Sequence, residues 1–188
     1  SDKANILRYQ KSGDTLIIGK SAEKAMRKYY SGKVKSNIIR VGKKYFPKSW
    51  RPTILGEHNK DNMALVIKAC EALGVSKGDI KKGVENFKGV SGRLELVREI
   101  KGVKYYNDTT ATTPEATMAA LRALNSKNVA GPELRRRIIL IAGGADKKLN
   151  YRELAKAIPK FVKILILFKG EASDKLLKEL RIAGSRTS

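Results

Sequence analysis

Two almost wholly apolar runs, "RIILIAGG" at 137–144 and "VKILILF" at 162–168, constrain this chain more than anything else in it. Strands that bury both faces carry apolar residues at successive positions, so such runs alternating with helices predict a parallel sheet covered on both faces. Parallel neighbours need a crossover connection, and residues 151 to about 158 have the spacing of a short helix that supplies one. Another helix is expected over 173–180. The fold class is therefore α/β, with a mostly parallel sheet in its C-terminal part.

Upstream, "RLELVREI" and "GVKYYND" alternate and flank Lys101-Gly102, which predicts a hairpin. A helix is expected over 114–124, with Thr113 as its N-cap and Pro114 at the first helical position, where a missing N–H costs nothing. Met63, Val66, Ile67, Cys70 and Leu73 fall at helical spacing over 58–73, with Gly74 as the stop. A second short helix, 76–87, ends in "KGVSG", which marks a domain boundary near residue 90. Before them, "TLIIG" and "NIIRV" bracket a basic segment, 21–31, readable as a helix; this part resembles the end of a sheet-containing domain.

The 40 Lys and Arg against 18 Asp and Glu give a formal charge of +22, which attracts polyanions. A non-enzymatic basic domain that binds nucleic acid is the alternative this charge raises. The basic residues are spread along the chain, however, with short clusters at Lys43-Lys44, Lys81-Lys82, Arg135-Arg136-Arg137 and Lys147-Lys148, and no zinc-ligand spacing or RNA-recognition signature accompanies them. No specific nucleic acid is expected. No stretch approaches the roughly 20 apolar residues needed to span a bilayer, and the first residues lack a secretory layout, so a cytoplasmic monomer away from membranes is expected. The single cysteine, Cys70, sits at an apolar helix position and reads as a buried thiol.

Ligands of α/β sheets gather where strands end and helix N-termini begin. Two loops qualify. In "NDTTATTP", Asp108 and the hydroxyls of Thr109, Thr110, Thr112 and Thr113 exceed what capping needs and suit a polar, anionic substrate, although an Asx-turn followed by a Thr cap also accounts for part of them. In "AGGADKK", Gly143 and Gly144 let the backbone approach a ligand and Lys147 offers a cation for a carboxylate or phosphate; a plain turn with solvated lysines is the alternative. A third group, His58, Asn59 and Asn62 in "GEHNKDN", clusters at a helix start where amides can read a base or ribose. Arg93 in "SGRLE" sits at the domain boundary, placed either to reach a phosphate or simply to face solvent.

In this order and spacing the segments resemble the Mur ligase family, over about residues 51 to 170. Gly56, His58, Asn59 and Asn62 match its Gly-x-His-Asn-x-x-Asn helix start. Gly89 through Arg93 and Glu95 match the segment leading into its C-terminal domain. Gly143, Gly144, Asp146 and Lys147 match its Gly-Gly-x-Asp-Lys loop. "NDTTATT", 107–113, is similar to the Asn-Asp-Ser-Lys-Ala-Thr-Asn loop of the branch that adds D-glutamate, whereas sister ligases carry a Tyr-Ala-His type of loop.

The resemblance implies residues 1–90 as the end of an α/β ATP-binding central domain and 91–188 as most of a Rossmann-like C-terminal domain. It implies an ATP-dependent ligase that joins D-glutamate to UDP-N-acetylmuramoyl-L-alanine through an acyl phosphate, in peptidoglycan precursor synthesis. Asn59, Asn62, Arg93 and Asp108 would then bind ATP, and Thr112 and Lys147 the D-glutamate. Two positions depart from the family pattern: Thr110 stands where many relatives have lysine, and Gly92 where many have histidine. The chain also carries no Gly-x-x-Gly-Lys-[Ser/Thr] phosphate loop. The ligands for Mg2+ are expected upstream of residue 1 and the last substrate loop beyond residue 188, so the chain alone is expected to be inactive.

Overall fold

The computed structural model describes residues 4–30, 32–125 and 137–184, which leaves Arg135 and Arg136 of the arginine cluster outside the described residues. The chain divides into two compact units, Ser1–Lys88 and Gly89–Ser188.

In the first unit a short helix α1 (Asn5–Tyr9) precedes β1 (Thr15–Gly19), α2 (Lys20–Tyr29) and β2 (Asn37–Val41). The strands pair in parallel from Thr15 with Asn37 to Gly19 with Val41, so the basic segment is the crossover helix of a βαβ unit. Leu16 and Ile18, two apart on β1, are buried with Leu7 against Met26, Tyr30, Val34 and Ile38, as the period of two along a strand requires. Helices α3 (Glu57–Ala72) and α4 (Lys77–Asn86) close a second cluster, in which Met63, Ala64, Ile67, Ile80 and Val84 pack on Val41, Phe46 and Trp50. The Phe46 and Trp50 rings meet edge to face at 6.4 Å, an arrangement their quadrupoles favour. Gly74, at φ +76°, ends α3 in the left-handed conformation that a side chain would resist.

In the second unit β3 (Glu95–Ile100) and β4 (Val103–Asn107) form the expected antiparallel hairpin, turning through Lys101 and Gly102, both at positive φ. Next along the chain come α5 (Pro114–Leu124), β5 (Ile138–Ala142), α6 (Arg152–Phe161), β6 (Val162–Leu167) and α7 (Glu171–Ile182). β5 and β6 pair in parallel across α6. Leu121 of α5, Leu154, Ala155 and Ile158 of α6, and Leu176 and Leu180 of α7 form one core with Val162, resting on Ile138, Leu140, Leu165 and Leu167 of the strands.

The opposite strand face corrects the expectation of a sheet covered on both sides. Ile139, Ile141, Ile164 and Ile166 are 53%, 60%, 46% and 46% exposed. Among the described residues, α5, α6 and α7 all gather on the Ile138–Leu140 side, and strand alternation turns every second residue away from them. No helix among the described residues is long and apolar enough to cross a membrane.

Candidate functional site

The loop after β4 and the turn before β3 are laced together by their own polar groups. Gly92 O accepts two hydrogen bonds from Thr110, one from its backbone N at 3.0 Å and one from its hydroxyl at 2.7 Å. Leu94 N donates to Asp108 Oδ1 at 2.9 Å. Glu95 Oε2 accepts from Gly92 N at 2.9 Å, from Ser91 Oγ at 2.9 Å and from Asn107 Nδ2 at 3.3 Å. Arg93 therefore stands between two residues whose backbones are both held, and both adopt left-handed conformations, Gly92 at φ +73° and Leu94 at φ +47°. A left-handed leucine is unfavourable by roughly 1 to 2 kcal/mol, and the bond to Asp108 helps to offset it. The Glu95 carboxyl is held below the usual glutamate range, chiefly by the Gly92 N–H and then by the Ser91 hydroxyl.

The two departures from the family pattern are thus in contact. A Cβ at Gly92 would lie 3.1 Å from both Thr109 Oγ1 and Thr110 Cγ2, so residue 92 has no room for a larger side chain unless the threonine loop shifts. The remaining hydroxyls divide as their surroundings dictate. Asn107 Oδ1 accepts from Thr109 N at 3.2 Å, forming the Asx-turn. Thr113 caps α5 by accepting from Ala116 N at 3.3 Å, one residue before Pro114. Thr112 is exposed, with its backbone N bonded to Thr110 O at 2.9 Å.

The glycine loop after β5 is organised by the segment that leads from β6 into α7. Phe168 N donates to Ala142 O at 2.9 Å, and a Cβ at Gly143, φ +151°, would come within 2.9 Å of Phe168 Cβ. A Cβ at Gly170 would sit 3.0 Å from Gly144 O, so side chains at Gly143 and Gly170 would each crowd the approach of the two segments. Ser173, buried at the start of α7, donates to Phe168 O at 2.6 Å. Lys175 of α7 bonds Asp146, whose side chain is only 5% exposed and also accepts from Lys148 N at 3.0 Å. That bond is the main reason the Asp146 carboxyl lies below, and the Lys175 ammonium above, its usual value. Burial and then the neighbouring Asp146 charge raise the Tyr151 phenol. Lys147 itself is exposed, and among the described residues no hydrogen bond or ion pair engages its ammonium.

In the first unit Gly56, at φ +102°, is the N-cap of α3, so neither asparagine caps the helix. Asn59 Nδ2 donates to Leu55 O at 2.6 Å, and Asn62 Nδ2 reaches Asn59 Oδ1 at 3.4 Å. The pair is brought together, and one end of it braces the incoming loop. His58 is exposed beside them. Asn59 and Asn62 belong to the first unit, while Arg93, Asp108, Thr112 and Lys147 belong to the second. Among the described residues no group of three or more His, Cys, Asp or Glu side chains is placed to hold a metal ion. Sequence reasoning missed Lys175, because nothing near it in the chain points to a partner in the loop after β5, and it missed the bond of Ser173, whose acceptor is a backbone carbonyl that any residue offers.

A parallel β–α–β core with a hydroxyl-rich loop after β4 and a glycine loop after β5 defines an α/β domain, a class whose ligand sites lie where strands end and helices begin. Residues 92–188 match the family described as Mur ligase, glutamate ligase domain. The chain belongs to the Mur ligase family. It is 45% identical over 127 residues to the UDP-N-acetylmuramoylalanine–D-glutamate ligase of Roseiflexus sp. (strain RS-1), covering 68% of this chain and 25% of that protein. It is 36% identical over 191 residues to the enzyme of the same name from Clostridium botulinum (strain Alaska E43 / Type E3), covering 93% of this chain and 39% of that protein. Among solved structures, MurF from Acinetobacter baumannii shares the fold over 94% of this chain and 43% of its own, with a TM-score of 0.70 at 19% identity. MurC from Thermotoga maritima does so over 73% of this chain and 30% of its own, with a TM-score of 0.57 at 19% identity. The chain thus spans between a quarter and two fifths of these two curated relatives.

Proposed function

We propose that this chain forms the nucleotide- and amino-acid-handling part of an ATP-dependent ligase that joins D-glutamate to UDP-N-acetylmuramoyl-L-alanine. In this reading residues 1–90 end the ATP-binding central domain and 91–188 form most of the C-terminal domain. ATP phosphorylates the carboxylate of the UDP-linked precursor and ADP leaves. The D-glutamate amine then attacks the acyl phosphate, and phosphate departs as the amide forms. Asn59 and Asn62 take the base and ribose, Arg93 meets the phosphates, and Asp108 faces the nucleotide from the C-terminal side. Thr112 and Lys147 hold the D-glutamate, where an exposed ammonium beside a glycine loop suits a carboxylate. Their contribution is positioning and charge stabilisation.

The observation that carries this reading is the lacing of the turn that bears the exposed Arg93 to the hydroxyl-rich loop that bears Asp108. The high identity to ligases named for D-glutamate supports the choice of amino acid. The test is a chimera in which residues 51–184 replace the matching segment of the Roseiflexus ligase. It should release phosphate only when UDP-N-acetylmuramoyl-L-alanine, D-glutamate and MgATP are all present. A folded chimera that binds nucleotide but prefers another amino acid would overturn the assignment. The 188 residues alone should make no product, because they carry no phosphate loop; measurable ligation by this chain by itself would refute that part.

A further inference from the structure

We propose that Thr110 is a positioning residue for Arg93: its hydroxyl latches the arginine-bearing turn to the loop that carries Asp108. The inference deepens the proposed function, since it rests on Arg93 being the group that meets an anionic phosphate. Three observations carry it. Both donors of Thr110, N and Oγ1, close on the same carbonyl, that of Gly92, at 3.0 and 2.7 Å. The residue on the far side of Arg93, Leu94, is tied through its N–H to Asp108, two positions before Thr110. Gly92 and Leu94 are both left-handed, freely for the glycine and unfavourably for the leucine, so the direction in which Arg93 leaves the backbone depends on contacts that hold Leu94 in place.

A lysine at 110 could not make the hydroxyl contact, and a side chain at 92 would press on Thr109 and Thr110 at 3.1 Å. Positions 92 and 110 thus act as one unit: the absence of a side chain at 92 makes the close approach possible, and the hydroxyl at 110 uses it. The guanidinium is left outside this network, at an exposed position, where it can meet a ligand. Thr110 sets where Arg93 is and takes no part in touching the phosphate itself.

The test uses the 188-residue chain, 15N-labelled, as wild type, Thr110→Val, Thr110→Ser and Arg93→Gln, with inorganic tripolyphosphate as the probe at fixed ionic strength. One readout is hydrogen exchange at the Leu94 amide, and the other is the response of the Arg93 Nε–H resonance to the probe. Valine keeps the shape of threonine and removes the hydroxyl. In Thr110→Val, Leu94 should exchange about tenfold faster and the Arg93 response should weaken about fivefold, with the thermal midpoint nearly unchanged. Thr110→Ser should restore both. Wild-type exchange and a wild-type Arg93 response in Thr110→Val would overturn the positioning role, and so would a serine variant that fails to recover. If wild-type Arg93 ignores the probe and Arg93→Gln binds it equally well, the phosphate reading falls, while faster Leu94 exchange in Thr110→Val would still support the latch. Were Thr110→Val to melt the unit, comparing Thr110→Ser with Thr110→Ala makes the same distinction.

Discussion

Lys175, in the second turn of α7, reaches back 29 residues in sequence to the carboxylate of Asp146 in the glycine loop after β5. The two partners are unequal: the lysine side chain is 52% exposed, while that of Asp146 is 5% exposed. The cation can leave for water with little loss, but the acid cannot. One residue from the helix after β6 thereby fixes the loop after β5, and with it the stem of the exposed Lys147.

Lys175→Met should therefore loosen the glycine loop more than it harms α7. The expected result is faster amide exchange at Lys147 and Lys148, with a thermal midpoint a few degrees lower. Lys175→Arg should keep most of the wild-type protection, because it retains the charge-assisted bond. Equal protection in all three proteins would show that the loop holds itself.

The same pair sets a pH window. Asp146 is depressed, so its contribution is present above the unfolded value near 4 and is lost as pH falls through its lower folded value. Lys175 is raised, so its contribution is present below the unfolded value near 10.4 and is lost as pH rises through its higher folded value. The stability gap between wild type and Lys175→Met, read from urea midpoints, should stay flat between about pH 4 and pH 10 and shrink outside that range. Glu95, also depressed, adds an acid-side loss to each protein that cancels in this gap, and Glu95→Gln should remove it from the wild-type stability profile.

Gly92→Ala should destabilise the second unit by more than about 1 kcal/mol, since alanine disfavours φ +73° and its methyl would press on the threonine loop. Thr110→Ser removes the Cγ2 that the new methyl would meet. In a double-mutant cycle the alanine should accordingly cost less in the serine background, with a coupling of about 0.5 kcal/mol or more. Strict additivity in denaturant unfolding would mean that the two side chains do not share the space.

The core beneath the loops gives a scale for these effects. Leu121, 2% exposed where α5 meets α6 and α7, should cost about 2 to 5 kcal/mol when cut to alanine. Thr113→Ala, which removes the cap of α5, should cost about 1 kcal/mol. Chemical denaturation of the two variants should rank them in that order.

Helix α5 was legible to the residue, because Thr113 and Pro114 are independent signals that agree on its start, and the hairpin was legible because Lys101-Gly102 interrupts two alternating runs. Other features escaped for physical reasons. A five-residue helix such as α1, with no capping side chain, leaves no period to detect. The strands β5 and β6 are apolar on both faces, and residue type alone does not say whether a neighbour covers each face. The latch between Gly92 and Thr110 runs from a hydroxyl to a backbone carbonyl 18 residues away, and every residue offers that carbonyl whatever its side chain. The sequence placed Asn59 and Asn62 together correctly, but it could not show that Asn59 would spend its amide donor on Leu55.

The open isoleucines of β5 and β6 sit on a molecule with a formal charge of +22, and the two features respond oppositely to electrolyte. Repulsion between molecules reaches about 10 Å at 0.1 M salt and only about 3 Å at 1 M, whereas contact between greasy strips is not screened at all. Ionic strength should therefore govern the colloidal state of this chain. Light scattering should find it dispersed in dilute buffer and clustering as sodium chloride approaches molar levels, sooner still in sulfate, which strengthens apolar contact. Lysines in place of Ile139 and Ile166 should move that threshold upward, and chromatography steps at high salt would be the wrong place to handle the native sequence.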